Sequence, residues 1–189
     1  YDLLKLFIGG HDSLGLIVEA TFKLLPLPEA EQFVLARCAT PDAAARLIDT
    51  VVDSEVAPVV LDLFSLSATS PQLPTTLVLG FAGTREAVDW QLARVALLGV
   101  GEPASLEYEK QFWSGDASIP RRVSILPSRL VEAIRALGPV PFVARAGNGV
   151  VYHRGGAPAT AAKNDGCPGL MQRVKDTFDP KQILPSLPL

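Results

Sequence analysis

"TPDAAARLIDTVV" (residues 40–52) and "TREAVDWQLARVA" (residues 84–96) open alike and carry apolar residues at matching places. In each, a threonine hydroxyl stands where it can accept from the unpaired N–H groups of a helix start. Pro41 suits the first helical position, and Asp42 and Glu86 put negative charge at the positive end of a helix dipole. Ala44, Leu47, Ile48, Val51 and Val52 in the first copy recur at the spacing that gives a helix one apolar face, as do Val88, Leu92, Val95 and Ala96 in the second.

Strand patterns flank both helices. "QFVLARCA" (32–39) alternates as a half-buried strand does, and "PVVLDLFS" (58–65) returns after the first helix. A loop rich in serine, proline and threonine leads to "TTLVLGFA" (75–82), and "SLEYEK" (105–110) reads as the strand that closes the second unit. Two strand-helix-strand units with matching caps predict an α+β fold: a ferredoxin-like antiparallel sheet with helices on one face. Leu47, Ile48, Val51, Leu92 and Val95 should all point at that sheet.

A third group follows. "RRVSIL" (121–126) reads as a strand, and a helix from about Ser128 to Leu137 ends at Gly138. "PFVARAGNGVVYHRGG" (141–156) reads as two short strands around a Gly-Asn-Gly turn. "APATAAKNDG" (157–166) reads as a surface loop, and a last helix carries Leu170, Val174 and Phe178 before Asp179-Pro180 stops it.

Composition excludes several classes. The 189 residues are 48% hydrophobic and 20% charged with net charge −3, a globular balance with no basic stripe for nucleic acid. No apolar run is long enough to span a bilayer, and no signal peptide is visible. Tyr1 in place of Met reads as a piece of a longer chain. The two cysteines, Cys38 and Cys167, have no metal-ligand spacing. Cys38 reads as a small core residue, and a reducing, cytoplasmic setting fits. No Ser/His/Asp triad, paired-carboxylate motif or phosphate loop is present, and "GGHDSLG" does not fit the dinucleotide pattern GxGxxG.

The N-terminal stretch "YDLLKLFIGGHDSLGLIVEATFKLLPLP" (1–28) has a different logic: a glycine corner, an apolar run of strand type, and prolines that close it. It resembles a segment of the flavin-linked oxidases of the vanillyl-alcohol-oxidase and p-cresol-methylhydroxylase type. The resemblance rests on Tyr1-Asp2-Leu3, Gly9, Leu14, Gly15, Glu19, Lys23, Pro26 and Pro28, with "RAGNGVVYHRGG" and "FDPKQIL" matching later segments. Within that family the chain resembles the flavin-carrying subunits of glycolate oxidases, as their C-terminal portion.

The resemblance implies a division into residues 1–28, the tail of an FAD-binding domain, and 29–189, a cap or substrate domain. It implies that the backbone of Gly9, Gly10, Ser13, Leu14, Gly15 and Ile17 lies along FAD. It places Arg145 and Asn148 as contacts to a small 2-hydroxy acid and His153 as the base that takes its hydroxyl proton. Other readings stay open: Asn148-Gly149 as a plain hairpin turn, Arg145 as a structural residue, and His153 as a surface histidine at a strand end. Trp113 reads as a loop residue.

Departures from the family pattern matter. Gly10 replaces a usual serine, Asp12 a usual glycine, Val18 a usual threonine, and Pro185-Ser186-Leu187 an Asn-Pro-Gly ending. The resemblance would put the Asp12 carboxylate near a diphosphate, and the family's main diphosphate loop is not in these residues. The expectation is part of an FAD-linked 2-hydroxy acid oxidase that is inactive on its own, with the sister subunits of a glycolate oxidase as partners. The alternatives are a non-catalytic assembly or regulatory module of a flavoenzyme complex, and an unrelated small-molecule-binding α+β domain.

Overall fold

The computed structural model describes residues 3–67, 75–115, 118–155 and 168–186. The elements begin with α1 (Leu4–Phe7), β1 (Ala30–Cys38), α2 (Pro41–Val52), β2 (Val60–Ser65), β3 (Thr75–Gly83) and α3 (Arg85–Ala96). They continue with β4 (Glu102–Pro103), α4 (Glu107–Ser114), β5 (Arg121–Ser124), a 3₁₀ turn (Pro127–Arg129) and α5 (Leu130–Leu137). The hairpin β6 (Phe142–Arg145) and β7 (Val150–His153) and the helix α6 (Pro168–Phe178) complete the order.

By internal contacts the chain forms two units, residues 27–162 and residues 1–26 with 163–189. The last helix, grouped with the sheet on sequence grounds, therefore packs in the unit that holds the glycine corner.

The larger unit is a seven-stranded antiparallel sheet in the order β4-β1-β3-β2-β6-β7-β5. The repeated threonines cap as expected: Thr40 Oγ1 accepts from the Ala43 N–H at 3.2 Å and Thr84 Oγ1 from the Ala87 N–H at 3.3 Å. Helices α2, α3 and α5 share one core with the sheet. Ile48, Val51, Val88, Val95 and Ile134 are buried there against Leu63, Leu77, Leu79 and Phe81, and Leu47 and Leu92 pack at its margin. Cys38 is buried in the same core, and burial pushes its thiol pKa up. The α+β antiparallel architecture thus stands as expected.

One element differs from the sequence expectation. "SLEYEK" is not the closing strand; two residues, Glu102 and Pro103, pair with β1, and Glu107–Ser114 form α4. The period decides this. Tyr108 and Phe112 lie four apart and both are buried, with Val78 and Val143, on the face of the sheet opposite the other helices. A six-residue window ending at Lys110 omits Phe112 and so looks like alternation. Trp113 accordingly lies on α4, not on a loop.

The apolar run after the glycine corner enters no strand: residues 16–28 carry no ladder, and Leu16, Ile17, Val18, Phe22, Leu24, Leu25 and Leu27 are exposed. The expected loop 157–166 lies outside the described residues. Among the described residues no helix is long and apolar enough to cross a membrane.

Candidate functional site

The glycine corner is built on α1. Gly9 has φ +80°, and His11 and Asp12 follow at +46° and +60°. These are left-handed conformations, which explains why glycine is expected where Asp12 stands; aspartate is among the residues that tolerate them. Two turns close the corner: the Gly10 N–H donates to the Phe7 carbonyl at 3.1 Å and the Ser13 N–H to the Gly10 carbonyl at 2.9 Å.

The close approach that the glycines permit is internal. A Cβ on Gly15 would lie 2.9 Å from the Phe7 ring, and one on Gly10 would lie 3.2 Å from the Phe7 carbonyl. Phe7 itself meets Phe178 of α6 edge-on at 5.3 Å. Of the six expected flavin contacts, Ser13 and Leu14 are buried, and the Ser13 hydroxyl donates to the Gly10 carbonyl. Gly9 and Ile17 are exposed, with Gly10 and Gly15 between. A shallow cavity of about 90 Å³ lies against Gly10, Asp12, Leu14, Gly15 and Ile17.

Behind the corner sits a buried ion pair. Lys175 Nζ donates to Asp179 Oδ2 at 2.6 Å, to the Ser13 carbonyl at 2.7 Å and to the Leu184 carbonyl at 3.2 Å. Asp179 accepts from the Ile183 and Leu184 N–H groups at 2.9 and 3.0 Å. The Lys175 hydrogen bond, with these backbone donors, holds the Asp179 carboxyl below the usual carboxylate range. Asp179 is therefore more than the helix stop its Asp-Pro sequence suggests. A lysine and an aspartate four apart at a helix end were the available signal.

In the sheet unit, Arg145 ends β6 directly across from Asp62 of β2, on the α4 side. Its guanidinium contacts the carboxylates of both Asp62 and Glu109. Tyr108 donates its hydroxyl to Asp62 Oδ2 at 2.6 Å, and Trp113 Nε1 donates to Glu109 Oε2 at 2.8 Å. Phe64 stacks on Tyr108 with ring centres 4.3 Å apart. Burial pushes the Asp62 carboxyl up, and the Tyr108 hydrogen bond and the Arg145 charge pull it back. Burial next to Asp62 pushes the Tyr108 hydroxyl up as well.

Beside this cluster a groove of about 320 Å³ is lined by residues 58–62, Arg145, Gly147 and Asn148. That volume is at the small end of ligand sites. Two carboxylates on one guanidinium leave its fork engaged inside the protein. Asn148 sits in the turn, where its Oδ1 accepts from the Val150 N–H at 3.1 Å.

His153 is in a different place. It lies across from Phe142 in the β6–β7 pair, on the side of α2, α3 and α5. It is 1% exposed, and its Nδ1 is 2.7 Å from the Gly155 carbonyl. The surface reading is overturned, and the structure does not bring His153 together with Arg145. The neighbouring Arg154 binds the end of α4 and the chain beyond it instead, donating to the carbonyls of Phe112 at 2.8 Å and Trp113 at 3.0 Å in the helix and to that of Ser118 after it.

Asp62, Tyr108 and Glu109 escaped the sequence reading. Asp62 had a signal, an acid inside the apolar run "VVLDLFS". Tyr108 and Glu109 carry none in a stretch whose pattern reads as a strand.

No protein-family profile matches the sequence. Glycolate oxidase subunit GlcD of Bacillus subtilis (strain 168) is 37% identical over 62 residues, 33% of this chain and 13% of that protein. Two crystal forms of alkyldihydroxyacetonephosphate synthase share the fold, with TM-scores of 0.62 and 0.52 at 15% identity. They cover 97% and 94% of this chain, which spans 49% and 48% of theirs. These findings bear out the resemblance to FAD-linked oxidases as a likeness, in sequence over 62 residues and in fold over most of the chain. Within that class, the sequence match is to a glycolate oxidase subunit.

FAD binding is what that class implies, and the corner tests it. An exposed, left-handed Gly9 suits a dinucleotide lying against the turn. The cavity of about 90 Å³ is far smaller than a site that encloses a ligand, and the Ser13 side chain is spent internally. Of an FAD, a cavity of this size would meet an edge and not the whole.

Proposed function

We propose that the chain is the C-terminal part of the flavin-carrying subunit of a 2-hydroxy acid oxidase, with glycolate as its substrate. The observation that carries this is the 37% identity to glycolate oxidase subunit GlcD. The exposed Gly9 turn supports it as one wall of a flavin site. Arg145 and Asn148 line one groove and are the proposed substrate contacts. His153 is left out of that groove because it is buried on the other face. When bound, flavin would accept the hydride from the hydroxy acid. No step is assigned to this chain alone, which should neither retain FAD nor turn over. A cytoplasmic setting belongs to the same proposal.

The test is to titrate FAD into the purified chain and follow flavin fluorescence and calorimetric heat. The expected result is no saturable binding at micromolar or tighter affinity. A yellow protein as isolated, or tight saturable binding, would overturn the proposal that the chain alone is incomplete.

A second reading, a non-catalytic assembly module docked on sister glycolate oxidase subunits, is favoured by one observation. Arg145 is already neutralised by Asp62 and Glu109. Co-purification with a larger flavoprotein, unaffected by changes at Arg145 or Asn148, would favour this reading over the first.

A further inference from the structure

Lys175 and Asp179 take no part in the proposed oxidation, yet they are among the few charged groups taken out of water. Lys175 is 4% exposed and Asp179 5%. Burying an ammonium is costly unless every donor is satisfied. Here the three donors meet Asp179, the Ser13 carbonyl and the Leu184 carbonyl. One nitrogen thus ties α6, the chain that follows it and the glycine corner together.

The corner needs such a hold. His11 and Asp12 are consecutive left-handed residues without being glycines, a conformation that both types tolerate but that still costs free energy and so needs support from the surroundings. Both are exposed, so no packing enforces them at the tip. The restraint enters on the next residues: Ser13 and Leu14 are buried, and the Ser13 carbonyl is the one that Lys175 grips. If ending α6 were the only task, Pro180 would serve without a buried charge.

We propose that Lys175 is a positioning residue for the glycine corner. By gripping the Ser13 carbonyl, with Asp179 holding its ammonium in place, it fixes Gly9–Gly15 in the turn that faces a ligand. Ligand capture at the corner then depends on α6. The identity of that ligand as a flavin nucleotide rests on the proposed function; the grip itself does not.

The experiment is hydrogen exchange on the whole chain without ligand, comparing the wild type with Lys175→Met, Lys175→Arg and Asp179→Asn. Loss of the grip should speed exchange in residues 9–15 by about tenfold in Lys175→Met, a local opening, with β3 unchanged. Lys175→Arg keeps a charged donor and should restore most of the protection. Unchanged corner exchange in Lys175→Met would overturn the proposal. So would equal acceleration in β3, or failure of Lys175→Arg to rescue. Should Lys175→Met not fold, Asp179→Asn, nearly the same in shape, decides by the same comparison. The FAD titration decides the flavin reading separately, so either idea can fail without the other.

Discussion

Arg145 and His153 belong to one hairpin but stand on opposite faces of its sheet. Arg145 lies across from Asp62 on the α4 side, and His153 lies across from Phe142 in the core beneath α2, α3 and α5. Their positions differ by an even number, but the four-residue turn between β6 and β7 falls between them. Strand alternation therefore has to be followed through the pairing register, not counted along the chain.

This placement makes accessibility a direct check on His153. His11 is exposed and His153 is 1% exposed, and these are the only two histidines. Diethylpyrocarbonate should modify His11 in the native chain and His153 only after unfolding. Mass spectrometry of peptides containing residues 11 and 153 gives the answer. Rapid native labelling of His153 would return it to the list of accessible catalytic bases.

The Arg145 cluster makes a prediction about stability and pH. In Arg145→Met the buried Asp62 loses its cation, and a buried pair broken on one side costs several kcal/mol. Arg145 is one-third exposed, so we expect about 2 kcal/mol near neutral pH. Burial already raises the Asp62 carboxyl, and losing Arg145 removes one of the influences that lower it. A carboxyl whose folded pKa exceeds its unfolded value binds its proton more tightly when folded. It costs stability above the folded pKa, and that cost fades as pH falls through it. The deficit of Arg145→Met relative to wild type should therefore shrink on acidification. Urea unfolding across a pH series measures it, and a deficit that grows at acid pH would refute the assignment.

How far the sequence reached depends on the range of the physics involved. Thr40 and Thr84 announced their helices because a cap is local: a hydroxyl, and an N–H three residues on. The core positions of α2 and α3 were readable for the same reason. The helix at Glu107–Ser114 was missed because its burial signal, Tyr108 and Phe112, spans more than the window that looked like a strand. The Asp62–Arg145–Glu109 cluster joins residues from β2, β6 and α4, and no local pattern records that pairing. The Lys175 grip crosses from α6 to Ser13, which is equally invisible along the chain.

Gly149 tests the hairpin turn that was legible. It has φ +71°, and a Cβ there would lie 2.0 Å from the Ile125 carbonyl oxygen. Its own carbonyl accepts from the Ile125 N–H at 2.9 Å, so the turn cannot simply move away. Gly149→Ala combines backbone strain with a backbone clash and should cost about 3 kcal/mol. The readout is the urea midpoint. A loss of less than about 1 kcal/mol, the ordinary cost of a surface change, would mean that the turn relaxes freely.

The apolar run after the glycine corner yields the last prediction. Leu16, Val18, Ala20, Phe22 and Leu24 alternate with Ile17, Glu19, Thr21 and Lys23, so an extended chain would put one set on an apolar side and the polar residues on the other. That is the pattern of a half-buried strand, but here it has no ladder: Val18 is 88% exposed, Phe22 79% and Leu24 85%. Unpaired apolar strand sequence invites association and binds hydrophobic dyes. Replacing Val18, Phe22 and Leu24 with lysine should reduce dye fluorescence and self-association in the purified chain. Stability should stay within about 0.5 kcal/mol per site, because none of the three side chains reaches a core. Light scattering, dye titration and urea unfolding on the same samples separate the outcomes. A triple variant that unfolds would show that these side chains are buried in solution, and one that associates as before would place the sticky surface elsewhere.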